Sequence, residues 1–359
     1  MRPIFLAIIA LLLVTGCAAP ATPPPAEAAP APTSTRTRTP LAPAFTPSVT
    51  LPPTMTFTPT PVPHFMSIEA LRAREYPGSE IIIERELRRG ESYSRYYAYY
   101  LSDELKIYAL LTVPDGEMPE GGWPAIVFNH GYIPPEIYVT TERYVNYVDR
   151  LARAGYIVFR IDYRGHDQSE GEATGAYGDP GYLADVLNAA ASLKQFPQAN
   201  PEKIGMWGHS MGGYLTLRAM VISPDIKAGV VWAGVVAPYV DLLYNWSRSG
   251  SFSASPSSRG VGWRTEWVEE FGSPEENPAF WDSVSANSYL ADLSGPIQLH
   301  HGTDDEDVPL KFSEDLAIHL NTLGMPYEFY IYEEDDHNLT KYFTTAMDRT
   351  VAFFDAWLK

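Results

Sequence analysis

Between a continuous apolar run and a helical pattern the chain reads Gly208-His209-Ser210-Met211-Gly212. Glycines at this spacing around a serine let a strand and the helix after it approach closely. The serine is then forced onto a sharp, sterically strained turn. Its hydroxyl stands above the sheet at the positive end of the helix. A hydroxyl is a weak nucleophile unless a base removes its proton and a third group orients that base. The chemistry this pattern offers is attack on an acyl carbon, and the rest of the chain has to supply a histidine and an acid.

Where such a turn belongs to a doubly wound sheet, the three groups run along the chain as serine, acid, histidine. Downstream of Ser210 stand His300, His301, His319 and His337. His300 and His301 end an apolar strand and read as structural; His319 lies inside a helical pattern. His337 follows the last predicted strand, in "YEEDDHNLTKY", where a loop can fold back over the sheet edge, and it is the expected base. The acids just before it, Glu333 to Asp336, are expected to face either the imidazole or solvent. The triad acid has to lie between Ser210 and His337 at the carboxyl end of a strand, the edge where such sheets hold their sites. That selects "HHGTDDEDVP", with Asp304, Asp305 and Asp307 as candidates and Glu306 behind them.

The surrounding elements have to bring these groups to one edge. "SEIIIEREL" and "SRYYAYYLSDELKIYALLTVP" alternate apolar and polar residues as antiparallel strands do, so the tyrosines from Tyr93 to Tyr100 read as half-buried strand positions. Further on, "PAIVFNHG", "YIVFRIDYRGHDQS", "EKIGMWGHS", "IKAGVVWAGVV", "GPIQLHHG" and "YEFYIYEEDD" are continuous apolar runs. Helical patterns such as "ERYVNYVDRLARAGY" and "GYLADVLNAAASLKQF" separate them. This alternation predicts an α/β fold with a mostly parallel, doubly wound sheet covered on both faces. Residues 241–295, rich in Trp, Ser and Gly, read as an inserted cap. Trp246, Trp263, Trp267 and Trp281 could line an apolar pocket, although packing the cap onto the body is the expected role of most of them; Tyr239, just before the cap, Trp246 and Trp263 are the candidate substrate contacts.

From about residue 80 to its end the chain resembles the α/β-hydrolase superfamily. Within it, the resemblance is to the catalytic domains of the prolyl oligopeptidase family and related bacterial esterases. "FNHGY", "DYRGHDQSEG", "IGMWGHSMGG", "HHGTDDEDVP" and "EEDDHN" carry it. The resemblance implies a serine hydrolase that cleaves peptide, ester or amide bonds through an acyl-enzyme, with no metal or organic cofactor. The family's acid closes an H-G-x-x-D stretch followed by x-x-V-P, which falls here on Asp305, with Asp307 as second choice. Its oxyanion hole implies the backbone N–H groups of Met211 and of Tyr132, whose hydroxyl is a further candidate contact. Prolyl oligopeptidases carry a β-propeller ahead of this domain; here a spacer, a short helix and a strand pair stand in that place. Carboxylesterase, acyltransferase and thioesterase are therefore alternative readings. The alternative from another class is a surface binding protein that keeps the fold without catalysis.

The first residues, "MRPIFLAIIALLLVTGC", place Arg2 before an apolar run from Ile4 to Val14, too short for the roughly 20 residues that span a bilayer. "VTGC" resembles the lipobox of bacterial lipoproteins, which implies that residues 1–17 form a lipoprotein export signal in which Cys17, the lone cysteine, is lipidated and becomes the new N-terminus. Residues 18–64 hold fourteen of the 32 prolines among Thr and Ala, a composition that cannot bury a core and reads as an extended spacer. The folded domain is expected over 65–359, held by its lipid to a membrane in the cell envelope. A net charge of −18 excludes nucleic acid as a partner, since phosphate binding needs concentrated Lys and Arg.

Overall fold

The tyrosine-rich run forms β2 (Tyr93–Ser102), a central strand of an antiparallel meander with β1 (Ile82–Glu86) and β3 (Leu105–Pro114). Asp103 and Glu104 turn β2 into β3 with φ of 52° and 66°, the left-handed pair whose twist suits a two-residue hairpin. The structure, a computed structural model, describes residues 63–246 and 262–359. The expected export signal with Cys17, the expected spacer except its last two residues, and 247–261 of the predicted cap lie outside the described residues. His64, assigned to the spacer, packs against the domain: its ring meets Trp267, Phe271 and Phe280 edge-on with centroids 5.0–5.3 Å apart.

Six further strands complete the sheet: β4 (Trp123–Asn129), β5 (Ile157–Ile161), β6 (Ala199–His209), β7 (Ala228–Trp232), β8 (Ile297–Gly302) and β9 (Tyr327–Tyr332). Among the described residues the order is β1-β2-β3-β5-β4-β6-β7-β8-β9, and every pairing from β5 onward is parallel. Both faces are covered, which is why these strands read as unbroken apolar runs. Val127, Phe159 and Met206 face the helices Gly181–Gln195 and Met211–Ile222. Their neighbours Phe128, Val158 and Trp207 face Val145–Arg153 and Phe343–Leu358. Each such side chain buried contributes about 1.5–3 kcal/mol.

The chain leaves β4 toward β5 on one side and leaves β6 toward β7 on the other. Adjacent parallel strands whose connections diverge open a crevice at their carboxyl ends. Asn129-His130-Gly131 and Ser210 stand at that crevice. The helix after Ser210 starts so close to the end of β4 that a Cβ on Gly212 would collide with the Asn129 carbonyl. Gly212→Ala is therefore expected to lower stability by roughly 1–3 kcal/mol, the scale of overpacking. A urea midpoint equal to that of the wild type would contradict this close approach.

Candidate active site

Ser210 has φ 54° and ψ −117°, a conformation that costs a non-glycine residue about 1–3 kcal/mol unless its surroundings impose it. Backbone hydrogen bonds do so, the shortest of them to Trp232, Gly213 and Val235. Ser210 N–H donates to Trp232 O at the end of β7 (2.9 Å), and its carbonyl accepts from Gly213 (3.0 Å) and Val235 (3.1 Å). Ser210 and His337 line the same cavity, of about 340 Å³.

His337, in the loop after β9, lies with Nδ1 2.8 Å from Asp305 Oδ2. An ionised carboxylate only accepts, so Nδ1 carries the proton and Nε2 is the basic nitrogen. The Asp305 side chain is fully buried and has three more donors. Oδ1 accepts from the backbone N–H of Asp307 and of Val308, both at 2.9 Å. Oδ2 also lies 3.1 Å from His301 Nε2. Burial alone would raise this carboxyl, but the hydrogen bonds from His301 and His337 outweigh it and hold it well below the usual carboxylate range. Asp305 is thus the acid brought to His337, while Asp304 is exposed on the outer side of the turn. His301, expected to be structural, orients the acid: its Nε2 faces two acceptors, Asp305 Oδ2 and the Val308 carbonyl (3.0 Å), and so carries the proton, while Nδ1, 2.8 Å from Ser313 Oγ, takes that hydroxyl's hydrogen. His300 is a core residue as expected, bonded to Tyr332 and Gln298.

The loop after β4 passes so near the nucleophile that a Cβ on Gly131 would lie 3.2 Å from Ser210 Cβ and 2.8 Å from Tyr144 Oη. This brings Tyr132 to the cavity wall beside Ser210. Met211 opens the helix Met211–Ile222, in whose first turn backbone N–H groups lack intrahelical partners. Both predicted oxyanion donors therefore stand next to Ser210 in loop and helix start.

Two residues that sequence reasoning passed over tie these pieces together. Tyr144 Oη accepts the Gly131 N–H (2.9 Å) and lies 2.7 Å from His209 Nδ1. His209 Nε2 lies 2.9 Å from the main-chain oxygen of His337. A carbonyl only accepts, so His209 carries its proton on Nε2 and takes the Tyr144 O–H at Nδ1. One chain of hydrogen bonds thus joins the loop after β4, the residue preceding the serine, and the loop bearing His337. Burial first, and then the nearby His337 imidazole, push His209 down to about 3. Burial pushes Tyr144 up to about 12.

The predicted substrate contacts are corrected by the structure. Tyr239 and Trp263 are core residues, about 1% and 2% exposed. Tyr239 Oη shares a hydrogen bond with Tyr214 Oη (2.5 Å), and Trp263 sits edge-on to the Tyr239 ring at 5.2 Å. Their bulk fastens the segment between β7 and β8 to the body. Trp246 reaches only the rim, donating its indole N–H to Asp307 O (3.0 Å). The described wall is instead built from residues such as Ile133, Pro134, Ile137 and Tyr147. The acids before His337 shape its loop: Asp335 accepts the N–H groups of Asp336, Lys341 and Tyr342, and Asp336 those of Asn338 and Thr340.

The chain is similar to known proteins over most of its length. The sequence profile of the prolyl oligopeptidase family matches residues 144–359. The uncharacterized peptidase YuxL of Bacillus subtilis (strain 168) is 27% identical over 249 residues, 68% of this chain but only 35% of that one. The uncharacterized peptidase YtmA of the same organism is 24% identical over 266 residues, 74% of this chain and 93% of its own length. Among solved structures, the Pyrococcus horikoshii acylaminoacyl peptidase superposes with a TM-score of 0.59 at 25% identity, covering 76% of this chain and 43% of that one.

The depressed value at His209 makes a prediction for stability. In an unfolded chain a histidine titrates near 6.5. Between pH 6.5 and about 3 the unfolded state therefore binds a proton that the folded state refuses, so stability falls with pH there. The contribution is complete above pH 6.5. The unfolding free energy of wild type minus that of His209→Gln should thus be constant above this value and shrink by about 1.4 kcal/mol per pH unit below it. Urea titrations from pH 7.5 to 4.5 read this directly, and a gap independent of pH would contradict the buried neutral imidazole.

Proposed function

The chain belongs to the prolyl oligopeptidase family, and from that membership we propose that it is a serine hydrolase in which Ser210, His337 and Asp305 act as the triad. Ser210 Oγ attacks an acyl carbon while His337 Nε2 takes its proton. The carbonyl oxygen becomes an oxyanion facing the N–H groups of Met211 and Tyr132. The bond to the leaving group breaks as His337 returns the proton to it, leaving the acyl group esterified to Ser210. Water, deprotonated by the same imidazole, then releases the acid and restores the serine. The observation that carries the reading is the 2.8 Å contact of His337 Nδ1 with the buried Asp305, in an imidazole that shares a cavity with the strained Ser210.

Peptide bonds are the proposed substrate, as the peptidase names of the relatives suggest, with carboxylic esters as the second reading. A fluorophosphonate probe should label the full chain, and Ser210→Ala should abolish the label. Asp305→Asn should lower turnover by about 10⁴-fold, the scale of losing an orienting carboxylate, while Asp304→Asn changes it only a few fold. Persistent labelling of Ser210→Ala would defeat the nucleophile, and a crippling effect of Asp304→Asn would defeat the register of the acid. Matched p-nitrophenyl esters and peptide anilides separate the two substrate readings by which is turned over.

We also propose that residues 1–17 direct export and that Cys17 is lipidated, which leaves the domain tethered to a membrane through a spacer reaching on the order of 140 Å if extended at ~3.1 Å per residue. The support is the order of Arg2, the apolar run and "VTGC". An alkyne-bearing fatty acid fed to bacterial cells expressing the full chain should be incorporated into it, and Cys17→Ser should lose the label. Equal incorporation in both would overturn the assignment.

A further inference from the structure

We propose that Arg143 selects the leaving group, and that the leaving groups it takes bear a carboxylate, as the C-terminal residue of a peptide or of an N-acyl amino acid does. This rests on the hydrolase reading above and names the substrate class of that site.

Arg143 lines the cavity that holds Ser210 and His337, and it is the one lysine or arginine on the described wall. It stands on the flank of the general acid. The adjacent Tyr144 connects through His209 to the His337 carbonyl, and Tyr147 Oη donates to Asn338 O (3.1 Å). The leaving group receives its proton from His337, so it departs along this flank. When a C-terminal residue leaves, the scissile C–N bond breaks and its amine takes the His337 proton. Its carboxylate sits one carbon beyond that amine.

Two independent observations mark Arg143 as a recognition group. First, it has no anionic partner among the described residues, in a chain whose net charge is −18. Arg72, Arg74, Arg89, Arg150, Arg153 and Arg164 are ion-paired; others such as Arg85, Arg88 and Arg95 are not, but among the described residues only Arg143 brings an unpaired guanidinium to this cavity. Second, its backbone is strained and held. Arg143 and Tyr144 have φ of 54° and 47°, two consecutive left-handed residues without glycine. The buried Arg160 guanidinium binds the carbonyls of Thr140, Glu142 and Arg143 from below. Asp162 in turn anchors the same loop through Tyr138 Oη (2.8 Å) and Thr140 Oγ1 (2.7 Å). A guanidinium offered from a fixed backbone presents a planar fork that matches a carboxylate in two parallel hydrogen bonds.

The test uses the full chain and two chromogenic esters of one acyl group, with 4-nitrophenol and with 3-carboxy-4-nitrophenol as leaving group. The kcat/KM ratio of carboxylated to neutral ester is measured for wild type, Arg143→Gln and Arg143→Lys. Intrinsic reactivity of the two phenols and any shared change in folding cancel between proteins. The ratio should fall roughly tenfold in Arg143→Gln, keep part of its value in Arg143→Lys, and decline with added salt in wild type. Turnover of both esters with the same ratio in wild type and Arg143→Gln would overturn the role of Arg143 alone. Turnover of neither, with no fluorophosphonate label, would overturn the hydrolase reading and this proposal with it.

Discussion

A carboxylate shut away from water stays ionised only while donors surround it, and the catalytic end of this molecule is built to that constraint. Asp305 has four: two backbone N–H groups from the turn after β8, His301 on β8 itself, and His337 from beyond β9. Each ties a separate part of the fold to the same oxygens. His301 is set by Ser313 on the helix Leu310–Leu323, so that helix has to dock in register. His337 arrives only because β9 runs parallel to β8, with His301 opposite Ile331 and Gly302 opposite Tyr332. A shift of β9 by one residue would turn its side chains to the opposite face and move the loop away from the acid.

Ser210, the proposed nucleophile, is fixed by a different set of bonds, and the two sets meet at His209. Strain at Ser210 is held by β7 and by the residues after it, all backbone contacts that any sequence of suitable size could make. The distance between Ser210 and His337 depends on side chains. His209, one residue before the serine, binds the main-chain oxygen of His337, so the base is registered against the strand that carries the nucleophile. Tyr144 continues the link to Gly131 and thereby to the loop that presents Tyr132. Nucleophile, base and oxyanion loop are in this way positioned relative to one another by a single buried hydrogen-bonded chain, the kind of network that is rigid only when every member is satisfied.

How much of this was legible in the sequence follows from the range of each interaction. The glycines around Ser210 answer a steric demand within a few residues, so they mark the turn by type and spacing alone. The parallel sheet was readable because burial on both faces leaves long apolar runs. Asp305 was not separable from Asp304 and Asp307 by residue type. It was named through a resemblance, and the physical distinction is that only its carboxylate receives the N–H groups two and three positions on. Tyr239 and Trp263 were misassigned because aromatic bulk reports that a side chain is buried and not which cavity it faces. Tyr144 and His209 were invisible for the opposite reason: they are 65 positions apart and their contact has no periodic trace.

The charge state of His209 is the last element of this arrangement. In the proposed mechanism the imidazole of His337 becomes a cation, and its ring centroid lies only 4.6 Å from that of His209. A second positive charge there would oppose the first in a site largely shielded from water, where such repulsion is weakly screened. Burial removes the proton from His209, and the Tyr144 hydroxyl occupies the nitrogen that would otherwise take it. The same residue can then hold the His337 backbone through Nε2–H without competing for the charge that catalysis develops. An alanine at this position would leave the His337 carbonyl unpaired, and a lysine would supply the donor together with the unwanted cation. A neutral histidine supplies the donor alone, with its tautomer set by the tyrosine on the other side.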